Sequence, residues 1–173
     1  HFLQDVVWGD DLDYLLVDMP PGTGDVQMGV AKMVPRAQVV VVTTPAVAAQ
    51  KVAIRAVSMA RKSYLRVAGV IENMTAFHCE HGGTYALFGS GGGETLAHDA
   101  GIPLLGQVPI EAAVSAGGDA GEPVVLGDGP AADAFRAIAE RTVTEAVPPP
   151  MMAGCSARML DADAPDEVAY RAL

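Results

Sequence analysis

Apolar runs and stretches of helical spacing alternate along this chain. Val39-Val40-Val41-Val42-Thr43-Thr44-Pro45 is β-branched, does not alternate and is closed by proline. That pattern predicts a strand with both faces covered. Val67-Ala68-Gly69-Val70-Ile71 and Leu104-Leu105-Gly106-Gln107-Val108 read as two further strands, and Tyr14-Leu15-Leu16-Val17 predicts an earlier one over 13–18. Between them lie helical patterns. Val26, Val30 and Met33 mark a helix over 24–34 that Pro35 ends, and an Ala-rich helix runs from Ala46 to Tyr64. A third helix over 94–100 stops at Gly101. In the last, Phe135, Ile138, Ala139, Thr142 and Val143 share a face, Arg136, Glu140 and Arg141 turn away, and Pro148 stops it. Residues 1–12 read as a helix end or loop. Residues 75–90 read as irregular, with a short strand at 85–88, and 110–128 as a short helix and a Gly- and Asp-rich loop. Strand–helix alternation at this spacing predicts an α/β fold: a mostly parallel, doubly wound sheet with right-handed crossovers.

Composition narrows the picture. The chain has 173 residues, is 50% hydrophobic and 5% aromatic, and carries 19 glycines, which suits Ala-rich helices on a sheet. A formal net charge of −10 argues against nucleic acid or an anionic membrane as partner. Two cysteines, Cys79 and Cys155, make no disulfide framework, so a reducing cytoplasm is the expected setting. No apolar run is long enough to span a bilayer.

The run Tyr14-Leu15-Leu16-Val17 ends in Asp18, followed by Met19-Pro20-Pro21-Gly22-Thr23-Gly24-Asp25. Open α/β sheets place their ligands where strands end in loops. A carboxylate there suits a water-bridged Mg²⁺ beside a nucleotide phosphate, the Walker B arrangement of P-loop NTPases. Gly22 and Gly24 let backbone N–H groups approach a γ-phosphate. Asp25 either closes this loop or caps the next helix. Lys32, Lys51 and Lys62 follow Ala31, Gln50 and Arg61, so no Gly-Lys-Ser/Thr phosphate loop is present. The expectation is a fold whose amino-terminal part, with the Walker A loop, is missing. Residues 1–147 form the partial P-loop NTPase domain and 148–173 a flexible tail.

The Pro20 to Asp25 loop resembles the switch region of the Mrp/ApbC iron–sulfur cluster carrier ATPases, in the MinD/ParA-like group of P-loop proteins. Val7-Trp8-Gly9, Glu72-Asn73-Met74, Phe88 to Gly93 and Gly117-Gly118-Asp119-Ala120-Gly121-Glu122-Pro123 extend that resemblance in family order over about residues 3–127. It implies an ATP-dependent homodimer that carries iron–sulfur clusters to apo-proteins. The implied roles are Mg²⁺ and hydrolysis at Asp18 and Asp25, nucleotide contact at Gly22 and Gly24, and adenine contact at Asn73 and around Pro109. Read locally, Asn73 is a turn residue, and the match of Glu72-Asn73-Met74 to the family's Glu-Asn-Met favours the nucleotide role. Relatives in that family often carry Cys-x-x-Cys where this chain has His78-Cys79-Glu80-His81-Gly82-Gly83. Cys79 matches the first cysteine and Gly82 stands at the second. A dimer would therefore offer two thiolates, with His78 or His81 to complete a mixed site, or Cys79 is an ordinary surface thiol. A Zn²⁺ site from these three follows no usual spacing. The Gly89 to Gly93 run lacks a phosphate-loop lysine and predicts a tight turn into a helix. The competing reading is a ParA/MinD-like positioning ATPase, a nucleotide-switched scaffold, which the acidic charge disfavours.

Overall fold

The computed structural model describes residues 2–9, 11–20, 24–79 and 81–147. Their order is α1 (Phe2–Asp5), α2 (Asp25–Met33), β1 (Gln38–Thr43), α3 (Val47–Lys62), β2 (Arg66–His78), β3 (Thr84–Tyr85), α4 (Gly92–Ala100), β4 (Leu104–Ile110), α5 (Ala112–Ala120) and α6 (Pro130–Arg141). A 3-10 turn at Val124–Leu126 precedes α6, and a π turn at Thr142–Ala146 follows it.

β2 is the central strand. It runs parallel to β1 on one side, with Val41 opposite Val70 and Thr43 opposite Glu72. It runs parallel to β4 on the other, with Glu72 opposite Gln107 and Asn73 opposite Val108. Its far end turns back as a hairpin, antiparallel to β3, with Phe77 opposite Tyr85.

Each parallel strand needs a crossover, and the crossover helices bury the faces. On one face Val41 and Val70 pack with Val57 and Ala60 of α3 and Leu96 and Ala100 of α4. On the other, Val108 packs with Ala131 and Ile138 of α6. Helices on both faces of a mainly parallel sheet give the doubly wound α/β architecture that the alternation predicts. Gly106 lets α6 come close: a Cβ there would lie 2.4 Å from Ile138 Cγ1. α3 ends where Tyr64 takes a left-handed φ of 59° and Leu65 N–H donates to Ala60 O at 2.9 Å.

Four expectations change. Residues 13–18 join no ladder, and Leu16 is 91% exposed. A strand holds only through a neighbour's hydrogen bonds. This segment is tied instead by side chains: Tyr14 OH donates to Val147 O at 2.6 Å, and Gln27 Nε2 to Pro20 O at 2.6 Å. β1 is covered on one face only. Val41 is buried while Val42 is 60% exposed, because α6 lies over β4 rather than β1. β2 runs on to His78, through residues read as irregular, because β3 and the last residues of β4 supply partners. Finally, α6 buries Ala131, Ala132 and Ile138, and Arg141 turns inward to donate to Leu104 O at 2.9 Å and Leu105 O at 3.1 Å. The carbonyls at the start of β4 thus outweigh solvent for that guanidinium. The tail 148–173, with Cys155, lies outside the described residues.

Candidate functional site

The carboxyl ends of β1, β2 and β4 meet along one edge of the sheet. Asn73 pairs with Val108 there, and pairing resumes only at Phe77 opposite Ile110. Three residues of β2 thus oppose Pro109 alone. Proline has no N–H to give a ladder, so such a break is where it is tolerated. Met74, inside the break, takes a left-handed φ of 58°. Its N–H donates to Asn73 Oδ1 at 2.8 Å, which fixes the amide side chain. Asn73 Nδ2 has no hydrogen-bond partner among the described residues. The structure therefore brings Asn73 and Pro109 together at the sheet edge, with an amide able to donate outward.

Beneath them lies a residue not singled out from the sequence. Glu72 is 1% exposed. Its Oε1 accepts from Gln107 Nε2 at 3.0 Å, and its Oε2 accepts the N–H of Gly93 in the first turn of α4. The signal was parity: Glu72 lies two residues after buried Val70, in phase with the core face. In the Gly89 to Gly93 run, Gly89 and Gly91 turn the chain with left-handed φ of 89° and 72°, and Gly92 and Gly93 allow close packing. A Cβ at Gly92 would lie 2.6 Å from Pro45 O, and one at Gly93 2.6 Å from Glu72 Cβ.

Cys79 sits in the turn of the β2–β3 hairpin. Its N–H donates to Gly83 O at 2.9 Å, and Gly82 N–H donates back to Cys79 O at 3.0 Å. Gly83 N–H donates to Cys79 Sγ at 3.2 Å. The half-buried sulfur is thereby oriented by backbone, the kind of N–H···S contact that tunes a thiolate ligand. Gly82, with φ 80°, serves the turn where a second cysteine would stand. His78 Nδ1 is within 3.0 Å of Thr84 Oγ1, and His81 is exposed. Among the described residues no three His, Cys, Asp or Glu side chains form a metal-holding group.

The phosphate-side candidates lie on the segment before α2 and at its start. Asp18 is exposed, with no partner among the described residues. Gly24 is the N-cap of α2 without a side-chain cap, and Asp25 is in the first turn, where negative charge meets the helix dipole favourably. Gln27 bonding to Pro20 O ties α2 to the segment that carries Asp18. Gly22 lies outside the described residues. No hydrogen bond or ladder links Asp18 or Asp25 to Asn73 or Pro109 among the described residues. An exposed carboxylate is a hard oxygen donor that suits Mg²⁺. Asn73 and Pro109 suit a purine edge.

Comparison with known proteins gives a family. The model of the family described as ParA, NUBPL iron-transfer P-loop NTPase, matches residues 1–143. An iron-sulfur cluster carrier protein of Mycobacterium tuberculosis is 49% identical over 132 residues, 73% of this chain and 34% of the relative. One from Pyrococcus furiosus is 43% identical over 151 residues, covering 84% of this chain and 50% of the relative. This chain thus spans between a third and a half of those relatives. Among solved structures, the nucleotide-binding protein of Archaeoglobus fulgidus, in complex with ADP and with cobalt found, matches with a TM-score of 0.58 and 35% identity, over 65% of this chain and 46% of that one. MinD of Aquifex aeolicus matches in fold, with a TM-score of 0.52 and 22% identity over 72% of this chain and 51% of that one. No helix among the described residues is long and apolar enough to cross a membrane.

Proposed function

Since this chain belongs to the NUBPL iron-transfer P-loop NTPase family, we propose that the whole protein is an ATP-dependent carrier that delivers iron–sulfur clusters to apo-proteins, working as a homodimer in the cytoplasm. The observation that carries this reading is the single strand β2. It bears Asn73, set beside Pro109 for the adenine, and runs to His78, where the hairpin turn that follows orients Cys79 for the cargo. Asn73 donates from Nδ2 to the base, and its Oδ1, held by Met74, keeps the amide in plane. Gly22 and Gly24 leave room for phosphate oxygens. Asp18 would hold the water shell of Mg²⁺, which when bound neutralises charge at the β- and γ-phosphates. Asp25, in the first turn of α2, orients that loop and, with Asp18, would position water for hydrolysis. The phosphate-gripping Gly-Lys-Ser/Thr is not in this sequence, so hydrolysis is assigned to the protein at the length of its relatives. Cys79 would give one thiolate per subunit to a cluster shared across the dimer, with His78 or His81 as further ligands.

The test is anaerobic iron–sulfide reconstitution of the full-length protein beside a Cys79→Ala variant, followed by visible absorption and iron counting. The wild type is expected to hold a cluster and the variant to lose it. A cluster retained in the variant would remove Cys79 from the site. None in either would overturn the carrier reading.

A further inference from the structure

Glu72 is the one buried acidic side chain among the described residues, and the proposed mechanism does not use it. It occupies the row Thr43–Glu72–Gln107 across the three parallel strands. The next row out is Asn73–Val108, followed by Pro109, and there the β2–β4 ladder breaks. The carboxylate therefore ties β2 to β4 from the buried side of Asn73, while Thr75 Oγ1 donates to Val108 O at 3.3 Å on the far side of it. It ties a third element too. Gly93 N–H belongs to the first turn of α4, whose N-cap, Gly91, has no side chain to offer. Two acceptor oxygens meet two donors, one from backbone and one from an amide, and a negative group lies at a helix N-terminus. No other side chain of this size both accepts twice and carries that charge.

We propose that Glu72 is a positioning residue for adenine recognition: by bridging α4 and Gln107 it fixes the spacing of Asn73 from Pro109. This rests on the assignment of Asn73 and Pro109 to the base. The bland alternative is that Glu72 serves stability alone. The two differ in what a variant loses, because a positioning role acts on the base and spares the phosphates.

The experiment uses the full-length protein and three probes: ATP, GTP and tripolyphosphate, the last lacking a base. Glu72→Leu removes both acceptors at similar volume. Its preference for ATP over GTP should fall about tenfold, the scale of one hydrogen bond to the base, with tripolyphosphate affinity unchanged. Glu72→Gln should recover most of that preference, because Gln107 can turn its amide and present oxygen. Should Glu72→Leu fail to fold, Gln107→Ala takes its place. Gln107 is exposed, and its loss cuts the strand tie alone, so the same shift in preference is expected in smaller degree. Equal loss of all three probes, or an unchanged ATP preference, would overturn the proposal. Asn73→Ala run in parallel separates the layers. If it abolishes the preference while the Glu72 and Gln107 variants do not, only the positioning role fails. If it leaves the preference intact, the base assignment fails and takes the positioning role with it.

Discussion

A methyl group is enough to test the packing at Gly93. A Cβ there would stand 2.6 Å from Glu72 Cβ and 3.0 Å from Oε2, and neither neighbour can withdraw from a buried strand. Gly93→Ala should therefore cost about 1–3 kcal/mol, as overpacking does, read as a lower denaturant midpoint at unchanged slope. Ile138→Ala tests the opposite fault. The side chain fills the space above Gly106, and its loss should cost about 2–5 kcal/mol by the same measurement. At this scale the sequence was uneven. The turn role of the Gly89 to Gly93 run was legible, because the run lacks the lysine that would make such a cluster a phosphate loop. Glu72 was not, because a motif match treats its three residues alike, whereas the fold buries one and leaves the next at the edge.

Elements were most legible where chemistry punctuates them. Pro35 and Gly101 bound their helices as expected, with α2 ending at Met33 and α4 at Ala100. β1 followed from its valines. The failures lie where a partner decides. Residues 13–18 have the composition of a strand, but composition supplies no ladder. β2 outruns its apolar run, because Phe77 and His78 gain β3 and the end of β4 as neighbours. Arg141 was assigned to solvent from the helical wheel, yet the carbonyls of Leu104 and Leu105 claim it. Removing that guanidinium leaves both carbonyls without it and loosens α6 from β4. Arg141→Ala should cost about 1–3 kcal/mol, seen as a lower melting temperature, while Glu140→Ala, on an exposed position of the same helix, should stay within about 0.5 kcal/mol.

For the whole molecule, the family and the α/β fold could be read from motif order, but the division between covered and open surfaces could not. Val40 and Val42 are exposed on the face of β1 that α6 does not reach. Exposed apolar surface favours association. Val42→Lys should lower light scattering by this 173-residue chain without shifting its melting temperature. Unchanged scattering would show that the open face of β1 is not where copies meet. The kink at Met74 bears on a different quantity, time. Amides of β2 before the kink sit between two parallel neighbours, whereas those after it have the two residues of β3, Thr84–Tyr85, and a single pair with β4, Phe77 opposite Ile110. In deuterated water the inner half should wait for near-global unfolding, and the hairpin that bears Cys79 should exchange through small local openings. One strand would then keep two clocks, and the thiol would belong to the faster.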